Sequence, residues 1–191
     1  MKNLIIGISG ASGVRLGIEM LKVLKSMPDV RTHLVLSDNA LITLNKETGR
    51  EVTAGELQKL ADFCYEIYDM AADIASGSFK TDGMVIIPCS MKTLAGVANG
   101  FSDNLLLRAA DVTLKEGRSL VVVPREAPFS RIHLKNMLKV QECGGVIIPP
   151  VMTFYNNLQS IDEMIDYLIG KILDRFDIDY SGYRRWGSKD F

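Results

Sequence analysis

The chain has 191 residues, 47% of them hydrophobic, and a formal net charge of −1, which suits one sizeable core and leaves too little chain for two α/β domains. The near-neutral charge argues against a nucleic-acid surface, and no apolar run reaches the roughly 18 residues of a membrane helix. The N-terminus lacks signal-peptide features, and the three cysteines and two histidines show no metal-binding or disulfide spacing. We therefore expect a cytoplasmic, metal-free protein with a single domain over residues 1–191, and neither nucleic-acid nor membrane partners.

Apolar runs bounded by turn signals alternate along the chain with segments of helical period. The predicted strands are 3–8, 31–36, 83–88, 119–123 and 145–148, and the predicted helices are 14–26, 40–46, 91–99, 104–116, 132–142 and 160–176. The strands are nearly continuous Val, Ile and Leu, as expected where helices cover both faces of a parallel sheet. The sequence therefore predicts an α/β fold with a doubly wound parallel sheet, Rossmann-like or flavodoxin-like, and helices on both faces.

The first predicted strand runs into a glycine-rich loop, IIGISGASG at 5–13, which a helix follows. This order exposes backbone N–H groups at a helix N-terminus to an anion. The spacing of Gly7, Gly10 and Gly13 fits none of the dinucleotide, Walker and nucleophile-elbow motifs. Two hydroxyls, Ser9 and Ser12, remain beside the loop amides, which suits a single phosphate or a polar ring edge. A glycine turn without a ligand is the alternative.

Polar or proline-bearing loops also follow the next three predicted strands: SDN at 37–39, PCSMKTL at 88–94 and PREAP at 124–128. Ligands of doubly wound sheets lie beyond the carboxyl ends of the strands, so we expect these loops to form one binding rim. Ser90 can cap the helix that follows it, and Lys92 lies in the first turn. A lysine there opposes the helix dipole, which indicates either a nearby ligand or a solvated side chain.

Longer stretches resemble the flavin prenyltransferases of the UbiX type, a family formerly described as aromatic-acid decarboxylases. The matching stretches are GISGASG, ASGSF at 75–79, PCSMKTLAGVANG at 88–100, LLLRAADVTLKEGRSLVVVPREAPFSRIHLKNML at 105–138, Phe154-Tyr155 and a C-terminal RRW. They cover nearly the whole chain in order. The segment PREAPFSRIHLKNML is long and idiosyncratic, so the match is more specific than a glycine loop alone.

The resemblance implies an enzyme that binds reduced FMN and dimethylallyl phosphate and joins the five-carbon unit to flavin N5 and C6. The product, prenylated FMN, then serves a separate aromatic-acid decarboxylase as its cofactor. The resemblance also implies a large homo-oligomer, a dodecamer, in which Glu47 reaches a neighbour's flavin. Residues 177–191 are expected to form a tail that packs near the site, with Trp186 as its docking anchor.

Position by position, the resemblance assigns three sets of residues. The flavin contacts are Gly10, Ala11, Ser12, Ser37, Ser90, Met91, Lys92, Thr93 and Arg125. The allylic-phosphate contacts are Lys115, Arg125, Tyr155 and Lys171. The catalytic polar groups around the reacting flavin are Ser12, Glu47, Arg108 and Glu126. Two positions differ from those of some relatives. This chain has Lys171 where some relatives have an arginine, and it has Ile74 where some have a tryptophan before the ASGS stretch.

Departure of an allylic phosphate builds negative charge on the leaving group, which cations such as Lys115 can stabilise without a metal. Bond formation at C6 removes a ring proton, and Glu126 with Ser12 or the departed phosphate could accept it. Each assignment has a structural alternative. Glu126 could be a surface acid, Lys115 a solvated helix end, and Arg108 an ion-pair partner of Asp111.

Other functions were weighed against this one. The acidic run at 162–166 is similar to a magnesium-binding prenyltransferase motif, but Ser160 followed by Glu163 predicts a helix capping box. A decarboxylase of the phosphopantothenoylcysteine type shares the fold, yet its asparagine after the third predicted strand and its early catalytic histidine are missing here. The last alternative is an FMN-binding accessory subunit or carrier without chemistry of its own, which would not need the cationic phosphate contacts.

Overall fold

Runs of Val, Ile and Leu form a six-stranded sheet in the computed structural model, which describes residues 1–187. Its strands are β1 (Lys2–Ile8), β2 (Val30–Leu36), β3 (Phe63–Tyr65), β4 (Gly83–Cys89), β5 (Ser119–Pro124) and β6 (Val146–Ile147). Their spatial order is β3-β2-β1-β4-β5-β6, and every neighbouring pair is parallel. The predicted doubly wound α/β fold is confirmed.

Seven α-helices lie between or after the strands along the described chain. They are α1 (Val14–Lys25), α2 (Asp38–Thr48), α3 (Ala54–Gln58), α4 (Met91–Ala98), α5 (Leu105–Lys115), α6 (Arg131–Glu142) and α7 (Ile161–Leu173). Side-chain oxygens cap the N-termini of all but α1, and the capping residues are Ser37, Thr53, Ser90, Asn104, Ser130 and Ser160. Each cap supplies an acceptor for an N–H group that lacks a partner within its helix.

The described chain falls into two compact units. The first, Met1–Pro149, contains the whole sheet, and the second begins at Pro150 and contains α7. The organisation as a single domain with a tail at 177–191 stays a prediction, and residues 188–191 of that tail lie outside the described residues. Within residues 1–187, no helix is both long enough and apolar enough to cross a membrane.

The first unit is organised around β4, which is buried along its entire length. Helices α1 and α5 both pack against β4, which explains why the strand is apolar at consecutive positions instead of alternate ones. β1 lies between β2 and β4, and Leu4 is in register with both Thr32 and Gly83. The loops after β1, β2 and β4 are therefore brought to the same edge of the sheet.

Two short elements are not predicted from the sequence, and most of the predicted boundaries differ from the observed ones by one to three residues. β3 and α3 have three and five residues, too few to show a period, and Phe63 in β3 is exposed on the edge of the sheet. The strand predicted at 145–148 shortens to β6 because the N–H of Gly145 donates to the carbonyl of Val140. The last helix ends at Leu173, and a 3₁₀ turn follows before Asp177, whose φ is 51°.

His33 is a buried ionisable side chain in β2, with 2% of its surface exposed. Its Nδ1 lies 2.9 Å from the hydroxyl of Tyr65, and its ring stacks on Phe63 with centroids 4.8 Å apart. Nε2 has no hydrogen-bond partner among the described residues. Burial lowers the pKa of His33 below 6.5, although the charges of Asp62 and Asp73 act in the opposite direction.

Candidate active site

A cavity of about 180 Å³ opens at the carboxyl edge of the sheet, where the loops after β1, β2 and β4 meet. Its walls combine hydroxyls, amides and an ammonium with apolar side chains. They are formed by Gly10, Ser37, Asn39, Ile67, Ser90, Lys92, Thr93, Asn104, Leu106 and Leu107. Five of the nine predicted flavin contacts are therefore brought together at one place, as the strand-end rule predicts.

The N-terminus of α4 forms the polar side of this cavity. The Ser90 hydroxyl accepts a hydrogen bond from the Thr93 N–H at 3.2 Å and donates to the Thr93 hydroxyl at 3.0 Å. Lys92 is exposed in the first turn and lines the cavity. Helix amides and an ammonium place positive charge here, which suits an anionic or electron-rich group.

Ser9 holds two loops together. Its side chain is 1% exposed, donates to the Pro88 carbonyl at 2.9 Å and accepts from the Ser90 N–H at 2.7 Å. The expectation that both hydroxyls of the glycine loop face a ligand is therefore wrong for Ser9. This residue instead fixes the start of α4 relative to the end of β1, while the exposed Ser12 keeps its assigned role as a prediction.

Gly10 is required by a close approach of α2. A Cβ at this position would lie 2.9 Å from the backbone carbon of Asn39, which cannot move without displacing the helix. The next residue, Ala11, turns its side chain into the core, and Met91 packs against the core at the start of α4. Ala11 can therefore meet a ligand chiefly through its backbone, whereas the side chain of Met91 is only partly buried.

The remaining residues of the glycine loop are tied to the loop after β5 and to helix α2. Arg125, at the end of β5, donates from Nε to the Ser12 carbonyl at 3.0 Å. Gly13 has a φ of 95°, and its N–H donates to a carboxylate oxygen of Glu47 at 2.5 Å. Glu47 thus meets the glycine loop of its own chain, and its predicted reach to a neighbour's flavin stays a prediction.

Glu126 follows Arg125 on the exposed loop after β5. Its Oε1 accepts a hydrogen bond from the Ala127 N–H at 3.0 Å, and the side chain is exposed. This geometry is compatible with a proton acceptor and also with the surface turn acid considered above. Its catalytic role stays a prediction.

Arg108 and Lys115 lie seven residues apart on α5, next to the loop that carries ASGSF. Arg108 donates from Nε to the Ala75 carbonyl at 3.0 Å and forms an ion pair with Asp111, with Nη1 and Oδ2 2.8 Å apart. The i,i+3 pair proposed as the structural alternative is therefore present. Lys115 pairs with Glu116, and this hydrogen bond lowers the pKa of the Glu116 carboxyl.

The second unit contains the other two predicted phosphate contacts, Tyr155 and Lys171. The hydroxyls of Tyr155 and Tyr167 are 2.8 Å apart, and this hydrogen bond, together with burial, raises the pKa of Tyr167 to about 12. The Trp186 ring packs edge-on against Tyr155, with centroids 5.2 Å apart. Trp186 is nevertheless 76% exposed, so its role as a docking anchor stays a prediction. Lys171 is exposed in the last turn of α7.

The acidic run at 162–166 serves to start and support α7. The Ser160 hydroxyl accepts from the Glu163 N–H at 3.1 Å, as predicted, but the Glu163 carboxylate accepts from Gln159 instead of closing a capping box on Ser160. Asp166 accepts from the Tyr180 hydroxyl at 2.6 Å. In the described part of the chain, no group of three or more His, Cys, Asp or Glu side chains is arranged to hold a metal ion.

Comparison with known proteins identifies the family. The flavoprotein family matches residues 1–173. A probable UbiX-like flavin prenyltransferase of Sedimentibacter hydroxybenzoicus is 55% identical over 188 residues, 98% of each chain. The chain belongs to the UbiX-like flavin prenyltransferases. The structure of AnUbiX (PadA1) in complex with FMN and dimethylallyl pyrophosphate matches with a TM-score of 0.92 and 46% identity over 97% of both chains. A dodecameric FMN-dependent UbiX-like decarboxylase from Escherichia coli O157:H7 also has a TM-score of 0.92, with 48% identity over 96% of this chain and 98% of that one.

As a UbiX-like flavin prenyltransferase, the protein is a transferase that acts on FMN. The chemistry of the cavity lining suits part of a flavin, because its hydroxyls and amides can meet polar ring edges while Ile67, Leu106 and Leu107 supply apolar surface for ring faces. The sequence pattern places Asn39 in the expected rim without assigning it a contact, and it assigns no site role to Asn104, although both residues line the cavity. Both lie at helix N-termini, since Asn39 is in the first turn of α2 and Asn104 caps α5.

Proposed function

We propose that the protein transfers the dimethylallyl group of dimethylallyl phosphate to N5 and C6 of reduced FMN, with release of phosphate. The observation that supports this most directly is the cavity at the N-terminus of α4, which gathers five predicted flavin contacts in a chain of this family. Reduced FMN supplies the nucleophilic ring atoms. The protein must therefore hold the ring, stabilise the leaving phosphate and accept one proton.

For the flavin, we assign the binding role to the predicted contacts around this cavity. Ser90 and Thr93 present hydroxyls at the α4 N-terminus, and Lys92 adds a positive charge beside them. Ser9 contributes indirectly, because its two buried hydrogen bonds fix where α4 begins. A rigid first turn keeps the ring in one orientation toward the donor.

For the donor, we assign the leaving phosphate to Lys115, Arg125, Tyr155 and Lys171. The bond from Arg125 to Ser12 uses Nε and leaves two Nη groups to meet an anion. Each charge-assisted hydrogen bond to the departing phosphate contributes about 1.5–3 kcal/mol. Several such bonds replace the metal that other prenyl-transferring enzymes use, since negative charge grows on the phosphate as the allylic bond breaks.

For the second bond, C6 joins the tertiary alkene carbon of the prenyl group, the π bond breaks and the neighbouring alkene carbon gains a proton. We assign removal of the C6 proton to Glu126, assisted by Ser12, with the released phosphate as the competing acceptor. Arg108 and Glu47 complete the assigned polar groups. The structure gives each of them an anchor, Arg108 on the Ala75 carbonyl and Glu47 on the Gly13 N–H. Anchored groups of this kind orient reactants without large rearrangement.

The deciding experiment mixes the purified protein with reduced FMN and dimethylallyl phosphate without oxygen, and follows the flavin by mass spectrometry. We expect the flavin to gain one five-carbon unit, in the presence of EDTA as well. A reaction with oxidised FMN controls for the need for reduced flavin, and the Lys115→Ala variant controls for the phosphate contacts. Tight FMN binding with no change in flavin mass would support the carrier function instead.

We also propose that the protein is a homo-oligomer, a dodecamer, and that it supplies prenylated FMN to a separate decarboxylase in the cytoplasm. α6 exposes three large apolar side chains, with Ile132 69%, Leu134 54% and Leu138 54% exposed, which favours burial against another copy. A solved relative is described as dodecameric. The cysteines are all unpaired, as is usual in a reducing compartment. Native mass spectrometry tests the assembly.

A further inference from the structure

Lys115 already carries a counter-ion within its own chain. It is the last residue of α5, and its ammonium pairs with the carboxylate of the next residue, Glu116. Neighbouring residues within a helix point in different directions, so they do not usually pair. Here the pair forms because Glu116 lies just beyond the helix, with φ −85° and ψ 4°. The Lys115 and Glu116 side chains remain 45% and 35% exposed, so a ligand can reach both.

A fixed loop supports the pair from one side. A Cβ built on Gly77 would lie 2.6 Å from the Glu116 carboxyl carbon and 2.9 Å from Lys115 Nζ. The loop is held by two arginines, since Arg118 donates to the Gly77 carbonyl at 2.7 Å and Arg108 donates to the Ala75 carbonyl at 3.0 Å. The absence of a side chain at position 77 therefore lets both charged groups rest on the loop.

We propose that Glu116 is a specificity-determining residue, which disfavours the diphosphate donor relative to the monophosphate by placing a negative charge beside Lys115. This inference rests on the proposed function, in which Lys115 contacts the donor phosphate. A carboxylate next to that lysine repels every bound anion, and it repels the anion with more charge more strongly. Dimethylallyl diphosphate carries about one more negative charge than the monophosphate, so Glu116 penalises it more.

The test compares kcat/KM for the two donors in the wild-type protein and in Glu116→Gln. We expect the variant to raise the diphosphate-to-monophosphate ratio of kcat/KM by about two- to fivefold, the range of a partly exposed charge interaction. The change should shrink at high salt, because exposed charges are screened. FMN affinity, measured by flavin fluorescence, should stay the same.

Two further variants separate charge from structure. Glu116→Asp keeps the negative charge and should retain the wild-type donor ratio. Glu56→Gln is the matched control, since Glu56 forms an exposed ion pair with Arg50, with Nη1 and Oε2 3.1 Å apart, and it should leave the ratio unchanged. An unchanged or lower ratio in Glu116→Gln, or an equal change in Glu56→Gln, would overturn the inference. Failure of the wild-type protein to prenylate FMN with either donor would instead reject the proposed function.

Discussion

Ser9→Ala tests whether the glycine loop and α4 are held together by one buried hydroxyl. The substitution removes the bond to the Pro88 carbonyl and leaves the Ser90 N–H without its 2.7 Å acceptor. The Pro88 carbonyl keeps a hydrogen bond from the Ser9 N–H at 3.2 Å, so the first loss costs about 1 kcal/mol. An unpaired, half-buried N–H adds about 1–2 kcal/mol. We expect a total loss of about 2–3 kcal/mol in the free energy of unfolding.

The assay is urea unfolding followed by circular dichroism at one fixed protein concentration, because assembly also contributes to stability. Ser12→Ala is the matched control from the same loop. Its hydroxyl is exposed, so we expect a change below about 0.5 kcal/mol. Flavin fluorescence should also show weaker FMN binding in Ser9→Ala, since the start of α4 loses a restraint. Equal stability of the two variants would refute the structural role of Ser9.

Three further results are expected. Burial lowers the pKa of His33 below its unfolded value of 6.5, so the stability that its neutral form contributes is complete above pH 6.5 and is lost as the pH falls below it. The melting temperature should therefore drop between about pH 7 and pH 5, and it should drop less in His33→Gln. Glu126→Gln should slow bond formation at C6 by about 10²- to 10⁴-fold, so NMR should find flavin that carries the prenyl group and still has its C6 proton. If the new ring closes at the normal rate, the released phosphate and not Glu126 accepts the C6 proton. Tyr155→Phe and Lys171→Ala should each lower kcat/KM for the donor by about ten- to a hundredfold without weakening FMN binding, and equal losses for both ligands would contradict their assignment to the phosphate.

The order of strands, loops and helices was predictable because each signal is local. β4 shows as a continuous apolar run since both of its faces are covered, and the serines that cap α2 and α4 directly precede their helices. The strand-end rule places Ser37 and Ser90 at one rim from the sequence alone. Long specific segments such as PREAPFSRIHLKNML carried the family assignment.

The tertiary structure decided features that depend on residues far apart in the chain. Ser9 and Ser12 are equivalent in the sequence pattern, but only Ser9 meets partners 79 and 81 residues away, which remove its hydroxyl from the site. β3 exists because its three residues pair with β2, not because they show a strand period. Gly77 lies beneath the Lys115–Glu116 pair because Arg118 holds its loop there. Local propensity and spacing determine which elements form, whereas the partners of a buried hydroxyl or a surface charge are fixed only when the sheet brings distant loops together.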